Sequence, residues 1–235
     1  MCFTVRHDTM KILLTYTVTT FHKIDFVHAI YFTLEQTIYM ISSHTRHVRK
    51  LVLCSLFAAL IAVGAFIKIS IPIEPFPMHF TLQLFFALLA GFLLGPRLGF
   101  TSVGVYLILG LAGVPIFAAG GGLAYLIRPT FGFLLGFAFT AWITGFFTKR
   151  LSKKCERQSF GTLLLASTAG MMAYYILGVL YFYVISNYII NIPVTWPVVL
   201  VNCFLITLLP DLILCILSSL LAQRLLPQLK RHLYF

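Results

Sequence analysis

The sequence has few charged residues and very few acidic ones. Only 10% of its 235 residues are charged, and only six are Asp or Glu, whereas soluble domains have about 25% charged residues. With 60% hydrophobic residues and a mean hydropathy of +0.98, the chain is predicted to be an all-α integral membrane protein. The net charge is +11, but the basic residues lie between apolar runs, where they set the orientation of the protein in the membrane. A nucleic-acid-binding protein is therefore not indicated.

Motifs that would indicate catalysis are missing as well. The sequence contains no GxxxxGK[ST] loop, so the chain is not expected to hydrolyse ATP by the P-loop route. It also lacks HExxH and GxSxG patterns. Its five cysteines show no CxxC spacing, and they are interpreted as small apolar residues rather than metal ligands or disulfide partners. A binding protein without metal or cofactor is therefore favoured over an enzyme.

The chain divides by composition into two parts. Residues 1–47 are predicted to be a poorly defined N-terminal extension, and Met40, just before the first apolar run, is an alternative start. Residues 48–235 are predicted to form a six-transmembrane-helix bundle, because each apolar run approaches the ~20 residues that cross a bilayer. The predicted spans are Lys50–Ser70, Met78–Leu94, Leu98–Leu111, Pro129–Thr148, Thr162–Ile185 and Val198–Leu221.

The basic residues predict the orientation of the bundle. One side collects twelve Lys and Arg residues, including Arg97, Lys149 and Arg150, whereas the other side has only Lys68 and Arg128. Because basic loops stay in the cytoplasm, both termini are predicted to be cytoplasmic. The chain is expected in the inner (plasma) membrane, in contact with lipid.

Asp211 is the most informative single residue, because it lies near the middle of the last span. A carboxylate at that depth costs about 2.5–3.5 kcal/mol or more, so it is expected to face a cavity or a partner. The alternative is an Asp that only packs helices. Pro210 beside it is expected to leave the carbonyl of Ile206 without its helical hydrogen bond.

Other candidate ligand-binding residues gather at the outer side. Arg128 or Lys68 would bind a carboxylate, although both residue types also anchor helices at the interface and Lys68 can snorkel. The natural ligand is then a small amphipathic anion whose N–H donors meet Asp211. Two polar residues, Thr81 and Gln83, are expected to hydrogen-bond the ligand, although they could simply be hydrated. Aromatic residues are expected to form an apolar wall of the site, although such residues are often core or interfacial-belt residues: Tyr106, Phe117, Tyr125, Tyr174 and Tyr175.

The run IPIEPFPMHFTLQLFFALLAGFLLGPRLG, followed by YLILGLAGVPIFAAGGG and PTFGFLLGF, resembles the BioY family of biotin transporters. Members of this family are substrate-binding S components of energy-coupling factor (ECF) transporters. The likeness extends over roughly Lys50 to Leu226. It implies an outward-facing biotin site and a protein that topples in the membrane. It also implies separate partners, namely a transmembrane coupling subunit and ATPase subunits.

The first span contains an AxxxA step at Ala58 and Ala62, which leaves a shallow face for close helix packing. From the residues alone, this face packs either within the chain or against another protein. The family resemblance implies that it docks the coupling subunit.

One position departs from the family pattern. A Lys is expected three residues after the Asp of the last span, but this chain has Leu214. Asp211 is therefore expected to pair with Arg128 or Lys68, or to be protonated. Three alternatives stay open beside biotin uptake: an S component for another small vitamin, a membrane enzyme using Asp211 as acid or base, and a structural membrane subunit.

Overall fold

The structure is a computed structural model, and it describes residues 46–71, 78–152 and 159–233. Most of the predicted extension, including Met40, lies outside these residues. The described helices are α1 (Arg46–Phe66), α2 (Gln83–Leu111), α3 (Phe131–Ser152), α4 (Phe160–Val184), α5 (Trp196–Leu200) and α6 (Ile206–Leu233). A 3-10 turn spans Leu123–Ile127, and π-helical turns span Ile185–Ile189 and Val201–Leu205.

Among the residues that the structure describes, five helical stretches are long and apolar enough to cross a membrane. They support a multi-pass membrane protein but do not confirm the predicted count of six spans, because the second and third predicted spans fall within the single helix α2. The stretch α5, π turn and α6 forms one span from Trp196 to Gln228. Membrane insertion is also consistent with the surface, because large apolar side chains such as Leu209 and Leu165 are exposed while Ser167 and Ser219 are fully buried.

Helix α2 is not a straight rod, because Gly95 interrupts it. This residue has φ 80° and ψ −177°, and Pro96 follows it. Gln83 and Tyr106 would be roughly 35 Å apart in an unbroken helix, yet their side chains are hydrogen-bonded at 2.5 Å. The two halves of α2 therefore fold back side by side.

Close packing against α3 holds this bend in place. A Cβ atom added at Gly145 would lie 2.6 Å from the backbone of Gly95 and Pro96. One added at Gly91 would lie 2.5 Å from the carbonyl oxygen of Ala141. Glycine is therefore required at both contacts, where two helix backbones approach each other.

A short β-hairpin differs from the all-α prediction. Strand β1 (Lys68–Ile71) pairs antiparallel with β2 (Met78–Thr81), and His79 lies opposite Ser70. The first span therefore ends as a helix at Phe66 rather than Ser70, and the second helix begins at Gln83 rather than Met78. Polar and apolar residues alternate in both strand sequences, KISI and MHFT, and this period of two is typical of strands rather than helices.

Candidate functional site

A cavity of about 570 Å³, including its open part, lies between the hairpin, α2, α3, α4 and α6. The wall combines apolar rings with a few polar groups, as expected for a small organic ligand. The lining residues are His79, Phe80, Thr81, Gln83, Leu84, Ala118, Tyr125, Thr130, Phe133, Leu134, Phe137, Tyr174, Thr207 and Asp211.

The floor of the cavity contains Asp211, which is only 2% exposed. The Tyr175 hydroxyl donates a hydrogen bond to Asp211 Oδ2 at 2.6 Å. Thr207 Oγ1 lies 3.2 Å from the same hydroxyl and donates to the carbonyl oxygen of Cys203 at 3.0 Å. One carboxylate oxygen is thus fixed by the protein, and a ligand N–H can approach the other. A carboxylate accepts such charge-assisted hydrogen bonds strongly.

A second polar group lies where α2 begins. The Gln83 side chain is 1% exposed. Its Nε2 donates to Tyr106 Oη at 2.5 Å, and its Oε1 accepts from Thr81 Oγ1 at 3.1 Å. The Tyr106 hydroxyl in turn donates to the carbonyl of Ile116 at 3.3 Å. These hydrogen bonds orient the Gln83 side-chain amide and leave one of its two N–H donors for a ligand.

Aromatic rings form the apolar middle of the cavity. Phe137 and Tyr174 stack with their ring centroids 5.2 Å apart and their planes 12° apart. Phe133 lies 5.1 Å from the Tyr174 ring. These rings offer a flat apolar surface between the polar ends.

Two cationic side chains lie near the outer end, which we call the mouth and define by Lys68, His79 and Arg128. The Lys68 ammonium group donates to the carbonyl of Ala118, which lines the cavity. The Arg128 guanidinium lies 5.2 Å from the centroid of the Tyr125 ring. Both cations are close enough to His79 to lower its pKa, in addition to the effect of burial.

The structure brings together most of the nine residues predicted to bind substrate. Lys68 and Arg128 lie beside the wall at the mouth, whereas Tyr106 and Phe117 lie behind it. Phe117 is 2% exposed, packs 4.7 Å from the Tyr125 ring and covers Gly110. The five that line the cavity are Thr81, Gln83, Tyr125, Tyr174 and Asp211.

The structure does not pair Asp211 with Arg128 or Lys68, and the alternative of a protonated Asp211 stays a prediction. The hydrogen-bond partner is Tyr175, which had been interpreted only as an apolar wall residue. Leu214 is 7% exposed and is not among the residues that line the cavity. Leu214 is therefore buried among helices and contributes no side chain to the cavity wall.

Sequence reasoning missed several wall residues, above all His79, Thr207, Phe133 and Phe137. Two of them carried a usable signal. Thr207 precedes Asp211 by one helical turn, and Phe133 precedes Phe137 by one turn, so each pair shares a helix face. His79 carried no such signal, because the hairpin that directs it to the cavity was not predicted.

The two alanines of the first span differ in accessibility. Ala58 is only 6% exposed and packs within the chain, whereas Ala62 is half-buried. Ala58 therefore packs within the chain, which was one of the two alternatives for this face of the first span. Docking of a partner at this helix remains a prediction.

The comparisons with known proteins agree with the resemblance in the sequence. The model of the BioY family matches residues 10–231. The chain belongs to the BioY family. This match begins well before Lys50, so the predicted limit of the likeness was too short at its N-terminal side.

Curated members of the BioY family show the same relationship. The chain is 42% identical over 175 residues to a probable biotin transporter BioY of Lysinibacillus sphaericus, covering 74% of this chain and 85% of the relative. It is 41% identical over 139 residues to the biotin transporter BioY of Thermotoga maritima, covering 58% and 76%, respectively.

A solved structure extends the comparison to the fold. The crystal structure of the S component for biotin from an ECF-type ABC transporter matches with a TM-score of 0.67 and 29% identity. The match covers 78% of this chain and 94% of that one. The fold is therefore that of an ECF S component.

Proposed function

We propose that this chain binds biotin in the cavity above Asp211 and delivers it across the inner (plasma) membrane as the S component of an ECF transporter. The observation that carries the proposal is the composition of the cavity, in a chain of the BioY family. A cationic mouth, an aromatic middle and a carboxylate floor correspond to the valerate carboxylate, the apolar body and the ureido N–H groups of biotin.

The membrane topology of the proposal has six crossings. The fold-back at Gly95 supports separate crossings by the two halves of α2, since it lies beside Gly145 near the basic end of α3. Arg97 then lies on the same side as Lys149 and Arg150. By the positive-inside rule this side is cytoplasmic, so both termini are cytoplasmic and the mouth faces outward.

Energy for uptake comes from other proteins in this proposal. A transmembrane coupling subunit docks on the first span, near Ala62, and ATPase subunits hydrolyse ATP. No metal or cofactor takes part. Among the residues that the structure describes, no three His, Cys, Asp or Glu side chains are grouped as metal ligands.

Calorimetric titration of the purified protein with biotin tests the binding step. Saturable binding with one site is expected, and riboflavin, thiamine or lipoate should not displace biotin. Displacement by one of these vitamins would instead favour an S component for that vitamin.

Uptake of labelled biotin by a biotin-auxotrophic host supplied with coupling and ATPase subunits tests the transport step. Uptake equal to that of cells lacking the chain would contradict the proposed transport.

A further inference from the structure

The mouth contains one group that the proposed function does not yet use. His79 lines the cavity from strand β2, together with Ala118 and Tyr125. Lys68, on the neighbouring strand, is hydrogen-bonded to Ala118, and Arg128 lies over the Tyr125 ring. Three elements of the chain thus direct three nitrogen-containing side chains to one end of the cavity.

The acidic residues are distributed very differently. Asp211 is the sole Asp or Glu within residues 46–71, 78–152 and 159–233, and it is hydrogen-bonded to Tyr175 at the floor. The described part of the mouth therefore supplies two permanent positive charges without a carboxylate. Glu74, between the two strands, lies outside the described residues and needs its own control.

These surroundings disfavour a proton on the imidazole while the cavity is empty. Burial lowers the pKa of His79 below 6.5, and Lys68 and Arg128 lower it further. The other titratable groups that line the cavity are Tyr125, Tyr174 and Asp211. Burial raises the pKa of Tyr125, so its hydroxyl stays neutral at physiological pH.

We propose that His79 is a third carboxylate-binding residue of the mouth, and that its imidazole takes up one proton from solvent when an anionic ligand binds. The inference rests on the proposed function, since it requires a ligand carboxylate between Lys68 and Arg128. An anion there offsets the repulsion that both cations exert on a protonated imidazole. The reaction is only protonation, so imidazole and one proton become imidazolium.

The sign of the pH dependence follows from this linkage. Bound anion raises the pKa of His79, so affinity is highest at low pH and falls as pH rises through the pKa of the complex. A change of about one pKa unit corresponds to about a tenfold change in Kd. The ligand carboxylate, with a pKa of about 4–5 like that of a Glu side chain, stays ionised above pH 6.

Calorimetry measures the proton directly. Biotin is titrated at pH 6.5 in two buffers with different ionisation enthalpies, and the difference in heat gives the protons taken up. Wild-type protein should take up a fraction of a proton, and Kd should be several-fold weaker at pH 8 than at pH 5.5. The neutral methyl ester of biotin should take up fewer protons than biotin does.

Variants assign the proton to one side chain. His79→Asn should take up fewer protons than wild-type protein when biotin binds, because Asp211 contributes equally in both proteins. His79→Lys, whose charge does not titrate in this pH range, should show the same smaller uptake. His232→Asn, near the C-terminal end of α6, and Glu74→Gln should retain wild-type proton uptake.

Two results would overturn the inference. Proton uptake in His79→Asn equal to that of wild-type protein is one, and loss of the uptake in Glu74→Gln is the other. Absence of biotin binding at every pH would instead overturn the proposed function, and this inference with it.

Discussion

The mouth and the floor of the cavity are opposite in charge and also in construction. Lys68 and Arg128 at the mouth are exposed side chains on a hairpin and a turn, where solvent screens them. Asp211 at the floor is buried within helices and fixed by Tyr175. Because burial makes a charge costly unless it is hydrogen-bonded, each contact at the floor is expected to affect binding more than its counterpart at the mouth.

Removing the floor carboxylate should have the largest effect. Asp211→Leu is expected to weaken biotin binding about 100-fold, because charge-assisted hydrogen bonds contribute about 1.5–3 kcal/mol. Calorimetry measures the change. Ser219→Ala is the control, since Ser219 is buried in the same helix and donates to the carbonyl of Cys215. Equal affinities of the two variants would remove Asp211 from the site.

Removing the hydrogen bond that positions the Asp211 carboxylate should weaken biotin binding less than removing the carboxylate itself. Tyr175→Phe deletes the donor to Asp211 and should weaken binding about tenfold, because one hydrogen bond contributes about 0.5–1.5 kcal/mol. Tyr181→Phe is the matched control, since Tyr181 is in the same helix and donates to the Leu126 carbonyl at 2.6 Å. A positioning role also predicts that Tyr175→Phe favours biotin over an analogue without ureido N–H groups less strongly than wild-type protein does.

Neutralising the mouth should weaken binding less, and in a salt-dependent way. Arg128→Gln or Lys68→Gln should weaken biotin binding about fivefold in 50 mM salt and hardly at all in 500 mM, because salt screens exposed charges. Arg97→Gln, on the basic side of the bundle, is the control. A loss that is equal at both salt concentrations would show that the contact is not an exposed ionic one.

Altering the wall between the two ends should have the smallest effect. A Cβ at Gly178 would lie 2.2 Å from the ring of Phe133, so Gly178→Ala should displace that ring and weaken binding about threefold. Overpacking should also lower stability by about 1–3 kcal/mol, measurable as a lower melting temperature. Gly161→Ala, where a Cβ meets nothing within 4 Å, should neither weaken binding nor lower the melting temperature, because alanine favours a helix over glycine.

The helices of this fold could be predicted because long apolar runs have few other structures in a membrane. Asp211 was found for the same reason, since a carboxylate is rare at that depth. Its partner could not be found, because Tyr175 reaches it from another helix and that packing is not written in local sequence. His79 was missed when the apolar residues around it were interpreted as helix rather than hairpin.

The bend at Gly95 affects more than the path of one helix. By returning the chain to the side on which α2 begins, it lets the continuous segment from Lys68 to Arg128 build the whole mouth. The floor depends on α4 and α6, much later in the chain. Biotin held at both ends would therefore act as a cross-link between two separately built parts of the protein, and its release would require only one of them to move away.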